Sequence, residues 1–231
     1  NNFTVNNLTS IDQSTDTPSN NFATLNPLNI PTSNAPTFSE GNLQVTTTNL
    51  SYVGGFSTIG MTTGKWYAEF KIISTSSANA TIGITGQSAE NSRNNKFAGQ
   101  ESTSYGYSYT AWGSLYDGSG TGSWGSTYGA GDIIGVAVDL DSNNLYFYKN
   151  GVVQNGGTAV SITASSSTSE GVYCFGTGDG STGNNNTVSA NFGSPAFSIS
   201  SGNADGNGFG NFEYAVPTGF LSLCTNNLNA V

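Results

Sequence analysis

Hydrophobic and polar positions alternate with a period of two along much of this chain, the signature of strands buried on one face. The pattern is cleanest over residues 131–151. There Ile134, Val136, Val138 and Leu140 share one face of an extended segment. Ile133, Gly135, Ala137 and Asp139 share the other and are small enough for something to pack closely against them. Asp141-Ser142-Asn143-Asn144 then supplies turn formers that bond local backbone and tolerate left-handed geometry. The chain returns with Leu145 and Phe147 on one side and Tyr146 and Tyr148 on the other, and Asn150-Gly151 signals the next turn. These positions predict a central hairpin, buried along one face and partly along the other.

Further strands are predicted at 43–48, 57–61, 65–74, 79–85 and 104–110, then at 158–163, 171–176, 187–192 and 219–224. In the third of these, Trp66, Ala68, Phe70 and Ile72 alternate with Tyr67, Glu69 and Lys71, and Glu69 with Lys71 reads as an exposed pair. No stretch predicts a helix beyond a turn at 89–97, and no repeat of fixed period is present. The expected fold is all-β, a two-sheet antiparallel β-sandwich with Trp66, Phe70, Val136, Val138, Phe147 and Phe192 in its core.

Residues 1–38 break the pattern. Pro18, Pro27, Pro31 and Pro36 rule out a helix or a central strand there. They predict an extended N-terminal arm pinned by Phe22, Leu25 and Leu28, with residues 39–231 forming the sandwich and its C-terminal tail. Such an arm either covers its own sandwich or reaches a neighbouring subunit, which makes Phe22, Leu25 and Leu28 the candidate assembly contacts.

Composition narrows the function classes. Only 8% of the residues are charged while glycine reaches 31, so Asn, Ser and Thr fill the surface role usually held by Lys and Glu. The 12% aromatic content and the clean alternation indicate a folded chain rather than a disordered one. A net charge of −9 with five basic residues speaks against a nucleic-acid partner and against anionic membrane surfaces. No apolar run approaches the roughly 18 residues of a membrane span. The two cysteines, Cys174 and Cys224, read as buried thiols, with a disulfide tying the tail to the sandwich as the alternative.

Candidate chemistry is sparse. Without histidine, Ser-His-Asp and Cys-His catalysis and His-based zinc sites are excluded, and no phosphate-binding loop follows a strand. Asp139 and Asp141 share a strand face but read as hairpin and turn residues rather than a glycosidase pair. Asp139-x-Asp141-x-Asn143 begins like a calcium loop but lacks the glycine and the distal Glu, and Asp179 and Asp205 lie in Gly/Asn-rich loops. No catalytic or metal site and no cofactor are expected, with calcium left open. The most suggestive surface is 105–128, rich in Tyr and Trp amid Gly and Ser. Trp112, Tyr116 and Trp124 are its candidates for ligand binding, because Tyr105, Tyr107, Tyr109 and Tyr128 fit strand positions.

Several of these segments carry a resemblance. Gly64-Lys65-Trp66-Tyr67-Ala68-Glu69-Phe70, Ile82-Gly83-Ile84, Gly131-Asp132-Ile133-Ile134-Gly135, Leu145-Tyr146-Phe147, Lys149-Asn150-Gly151 and Asn191-Phe192-Gly193 follow the order of SPRY-domain motifs. The resemblance covers roughly residues 57–200 and implies a concanavalin A-like jelly roll whose loops bind partners. The flanks, Asp16-Thr17-Pro18 through Leu28 and Pro217-Thr218-Gly219-Phe220 through Leu228, resemble the opening and closing segments of SPRY-containing structural proteins of tailed bacteriophages. The Gly/Asn-rich stretches 176–186 and 200–211 depart from both patterns.

That resemblance implies a non-enzymatic virion structural protein, a head decoration or a fibre or appendage subunit, located on the virion surface. Its expected partners are other virion proteins and copies of itself, with a host-surface glycan or protein as a further one. The alternative is a stand-alone extracellular carbohydrate- or peptide-binding module.

Overall fold

The structure is a computed structural model describing residues 16–30, 35–50, 54–76, 79–86, 105–118, 120, 122–180 and 183–230. The expectations for residues 1–11, for Pro31 and for a turn at 89–97 lie outside the described residues. In chain order the first strands are β1 (Thr37–Ser39), β2 (Gln44–Leu50), β3 (Gly54–Phe56), β4 (Lys65–Thr75) and β5 (Ala80–Thr85). Next come β6 (Gly106–Thr110), β7 (Leu115–Tyr116), β8 (Ile133–Asp139), β9 (Asn144–Lys149) and β10 (Val152–Val153). The last are β11 (Val160–Ser161), β12 (Cys174–Asp179), β13 (Asn184–Asn191) and β14 (Leu221–Ser222), followed by the one-turn helix α1 (Thr225–Leu228).

Two sheets result, and together they form the expected all-β sandwich. The larger runs β1-β2-β13-β4-β8-β9-β10, with β11 also on β9 and β14 also on β4; the smaller runs β3-β12-β5-β6-β7. The central hairpin sets the register. Val136 lies opposite Ala68 and Phe147, and Val138 opposite Trp66 and Leu145. Directly opposed side chains share a face, so these residues form one apolar surface, which meets Ile82, Ile84, Tyr109 and Phe175 of the smaller sheet. Trp66, Phe70, Val136, Val138, Phe147 and Phe192 are each at most 1% exposed. Burying an apolar side chain of this kind stabilises the fold by about 1.5–3 kcal/mol.

The turns follow their residues. Asn143 adopts a φ of 55°, and Asp139 Oδ1 accepts the N–H groups of Asp141 and Ser142 at 3.1 and 3.0 Å. Asn150 and Gly151 both have positive φ, 48° and 77°, as a two-residue hairpin turn requires.

The outer face of β4, β8 and β9 is covered as well. Residues 203–220 form a strap across it, and Phe212, Val216 and Phe220 pack there with Tyr67, Ala137, Tyr146 and Tyr148 as a second, smaller core. A Cβ on Gly135 would stand 2.6 Å from Tyr67 Oη, so the small face of β8 is what admits this layer. The strap corrects the reading of Glu69 as an exposed partner of Lys71, because Glu69 has no exposed surface at all. Its carboxylate accepts the N–H groups of Glu213 and Tyr214, each at 2.9 Å, the Tyr67 hydroxyl at 3.2 Å and Asn191 Nδ2 at 3.3 Å. Burial pushes its pKa up to about 6, even though these hydrogen bonds favour the ionised form.

Two other expectations are modified. The pairing is not wholly antiparallel: β14 runs parallel to β4, with Leu221 opposite Trp66 and Ser222 opposite Tyr67. It occupies the side of β4 that β13 leaves after Asn191 pairs with Glu69. Residues 57–61 are not a strand either. Ser57 and Met61 make only isolated bridges, to Leu25 and Tyr173, because the chain leaves β3 to meet the arm.

The described part of the arm lies on its own sandwich. Phe22 pairs with Cys224 and Leu25 with Ser57. The N–H of Ala23 donates to the Leu223 carbonyl at 2.9 Å and that of Asn26 to the Phe56 carbonyl at 2.7 Å. The Phe22 ring occupies the place where Gly193, at a φ of 130°, would carry a Cβ, only 2.1 Å away. Phe22 and Leu25 are buried, whereas Leu28 is 91% exposed. Of the three candidate assembly contacts, Leu28 is therefore the one facing outward. Cys174 and Cys224 are both thiols, half-buried and buried respectively, rather than halves of a disulfide.

Candidate binding groove and family

The aromatic stretch forms a groove because its loops are tied together at the backbone. Trp112 sits in the turn between β6 and β7, closed by the Gly113 N–H donating to the Thr110 carbonyl at 2.9 Å. The Gly113 carbonyl in turn accepts the N–H groups of Trp124 and Gly125, at 2.8 and 2.9 Å, which draws the following loop against the turn. Gln154, beyond β10, fixes the other wall. Its Oε1 accepts the Ser126 N–H at 3.0 Å and its Nε2 donates to the Val152 carbonyl at 2.8 Å. The Tyr109 hydroxyl donates to the Ser126 carbonyl from below.

Between these walls lies an open groove of about 510 Å³, with Trp112 and Trp124 on its surface and Val152 on its rim. Trp124 packs edge-on against Tyr109 and Phe147, at ring separations of 5.4 and 5.7 Å, and keeps part of its ring in the groove. Tyr116 does not line the groove; it meets Trp112 edge-on at 6.2 Å. The structure thus brings Trp112 and Trp124 together and leaves Tyr116 beside them. Sequence reading missed Val152 and Gln154. The available signal was an apolar pair following the Asn150-Gly151 turn, of which Val152 is left 64% exposed.

Among the described residues, none that lines the groove is charged. Lys149 lies near it, but its ammonium donates to the Thr127 carbonyl at 2.7 Å and pairs with Asp132 at 3.3 Å. The carboxylates weighed for calcium or catalysis have structural partners. Asp139 pairs with Lys65 at 2.9 Å, and Asp141 accepts the Gly64 N–H at 2.8 Å. Asp179 accepts from Thr47, and Asp205 accepts the N–H groups of Asn207, Phe209 and Ser222 together with the Asn227 amide. Burial pushes Asp205 up, yet these bonds outweigh it and hold the carboxyl below its usual range. Among the described residues no three His, Cys, Asp or Glu side chains come together in a way that could hold a metal ion. The groove can stack rings and exchange neutral hydrogen bonds.

Comparison with known proteins gives this architecture its relatives. The SPRY domain family model matches residues 65–195, more than half of the chain. A Drosophila melanogaster Ran-binding proteins 9/10 homolog is 38% identical over 90 residues, and a Danio rerio Ran-binding protein 9 is 39% identical over 89. Each match covers 38% of this chain but only 9% and 14% of those longer proteins. Among solved structures, the SPRY domain of human HERC1 superposes with a TM-score of 0.54 at 16% identity, covering 72% of this chain and 96% of that one. The stonustoxin structure superposes with a TM-score of 0.52 at 18% identity, covering 73% and 27%. At such identities the structural likeness speaks for the fold alone. SPRY domains are generally non-catalytic protein-interaction modules. With the motif order, the two-sheet sandwich and the family match in agreement, the chain belongs to the SPRY domain family.

Proposed function

We propose that this chain is a non-enzymatic structural protein on the surface of a tailed-phage particle, a head decoration or a fibre or appendage subunit, presenting its SPRY module outward. The observation that carries the reading is the clasp between the two flanks. Residues 20–26 lie against Leu223–Thr225 on one side and Phe56–Thr58 on the other, so the segments that resemble the ends of phage structural proteins form one addition to the sandwich. An ordinary interaction module has no need of that addition, whereas a subunit held in a lattice gains a fixed frame from it. The low-charge surface is consistent with this setting, since its contacts would change little with salt.

The groove also supports a second reading, a stand-alone extracellular module, because a binding site needs no particle around it. Labelling separates the two. Gold-conjugated antibody against the purified chain is applied to intact particles of the virus encoding it. Regular label on heads or tails supports the proposal, and its position distinguishes decoration from fibre. Particles without label, alongside free chain in the medium, overturn it in favour of the module.

A further inference from the structure

We propose that the groove between Trp112, Trp124 and Val152 is a binding site for a neutral glycan. The inference rests on reading this loop surface as the module's recognition face, and it adds the chemistry of the ligand. Sugars present two kinds of surface, apolar C–H faces and a rim of hydroxyls that both donate and accept. The groove offers the complement of each. The half-buried indoles of Trp112 and Trp124 line it and supply apolar ring surface. Ser126, Thr127 and Asn155, all exposed along the same groove, supply hydroxyl and amide groups able to donate and accept.

Charge selects among glycans. With no charged side chain among the described residues that line the groove and a net charge of −9 on the chain, an acidic sugar finds no counter-charge in that lining and meets a repulsive field. A volume of about 510 Å³ lies within the range of small-ligand sites. The walls are also set before any ligand arrives, since Gln154 holds Ser126 and the Gly113 carbonyl holds Trp124 and Gly125. Preorganisation of this kind lowers the ordering cost of binding.

A peptide adding as a further strand is the competing occupant, and β10 is a poor template for it. The strand is two residues long, and its Val152 carbonyl already accepts from the Gln154 side chain. The N–H of Gln154 itself donates to the Phe147 carbonyl at 2.8 Å. Beyond it Asn155 and Gly156 turn the chain away with positive φ.

Tryptophan emission provides the test, because Trp66 is buried in the core and the other two tryptophans line the groove. The full chain is titrated with neutral hexose and N-acetylhexosamine oligosaccharides, with their sialylated counterparts, and with charged and uncharged peptides. Saturable quenching by a neutral oligosaccharide is expected, with little change between ~0.05 and ~0.5 M salt. Trp112→Ala should weaken it about tenfold. Val152→Asp, at an exposed rim position, should weaken it without unfolding the chain, which keeps the test open if Trp112→Ala disturbs the loops. A peptide that binds in place of any sugar, and is lost in Trp112→Ala, overturns the glycan assignment while leaving the groove as a recognition site. Quenching by none of the probes, or binding unchanged in both variants, overturns the site altogether. Neither result bears on where the antibody finds the chain on a particle.

Discussion

The Glu69 carboxylate accepts the backbone N–H of Tyr214 at 2.9 Å across 145 residues of chain, fastening the C-terminal strap to the middle of the larger sheet. With the Glu213 N–H held by the same group, one side chain satisfies two backbone donors that no strand pairs. Glu69→Ala is expected to leave both part-buried donors without this acceptor and to cost about 2–4 kcal/mol. Urea unfolding of the variant measures this, and proteolysis of the folded protein should shift to residues 203–220.

The same carboxylate makes stability depend on pH in an unusual direction. Burial raises its folded pKa to about 6 from 4.5, so the folded chain holds the proton more tightly than the unfolded one. Its contribution is fully present below pH 4.5 and is lost as pH rises through 6, a change of about 2 kcal/mol. Asp132, Asp139 and Asp205 act oppositely. Burial pushes each up, but hydrogen bonds together hold each below 3.8, so their contribution is lost only as pH falls below that value. The urea midpoint should therefore be higher near pH 5 than at pH 7. Glu69→Gln should flatten that rise, and a midpoint independent of pH in the native chain would contradict the assignment.

Gly193→Ala is expected to displace the arm. The added methyl would collide with the Phe22 ring, and the φ of 130° disfavours any residue but glycine. Phe22→Ala removes the ring instead, at a cost of about 3–5 kcal/mol. Both variants should expose residues 16–26 to limited proteolysis while the sandwich keeps its far-UV spectrum.

Leu28→Asp tests attachment without that disturbance. A side chain this exposed contributes little to its own fold, so stability should change by no more than about 0.5 kcal/mol. If the arm secures the chain to a neighbour, particle incorporation or oligomer size falls in this variant, and normal assembly would remove Leu28 from the contact. Deleting residues 1–38 answers less cleanly, since Phe22 and Leu25 would leave the core with it.

Reduction should leave the thermal midpoint unchanged, because neither thiol is cross-linked. In the folded protein a small disulfide reagent should modify half-buried Cys174 ahead of Cys224, which is fully buried where its backbone pairs with the arm. A midpoint that drops with reductant would show a bridge instead.

What could be read from sequence was whatever alternation records. In β4, β8 and β9 the period of two assigns each side chain to a face, so Trp66, Val136 and Phe147 were legible as core neighbours. Alternation is silent on what later covers the other face. Glu69 looked solvated for that reason, because the strap that buries it comes from a stretch without strand periodicity. Strands of two or three residues, such as β1, β3, β7 and β10, are too short to show a period. In the groove, Trp112 and Trp124 were legible as aromatics outside any strand pattern. Their convergence on Val152 and Gln154 depends on backbone bonds through Gly113 and Ser126, which residue type does not encode.

The clasp of the flanks has a mechanical consequence. Phe22 and Cys224 pair antiparallel, so the backbone before Phe22 and the backbone after Cys224 leave from the same end of the pair. Tension applied between Asp16 and Ala230 therefore peels this junction residue by residue, the Asn20–Asn226 bond and the two Asn21–Thr225 bonds before the Ala23–Leu223 bond, instead of shearing all of them together. Each residue freed lengthens the chain by about 3.5 Å. Under load the flanks would pay out as a yielding tether, while the sheets behind them stay closed.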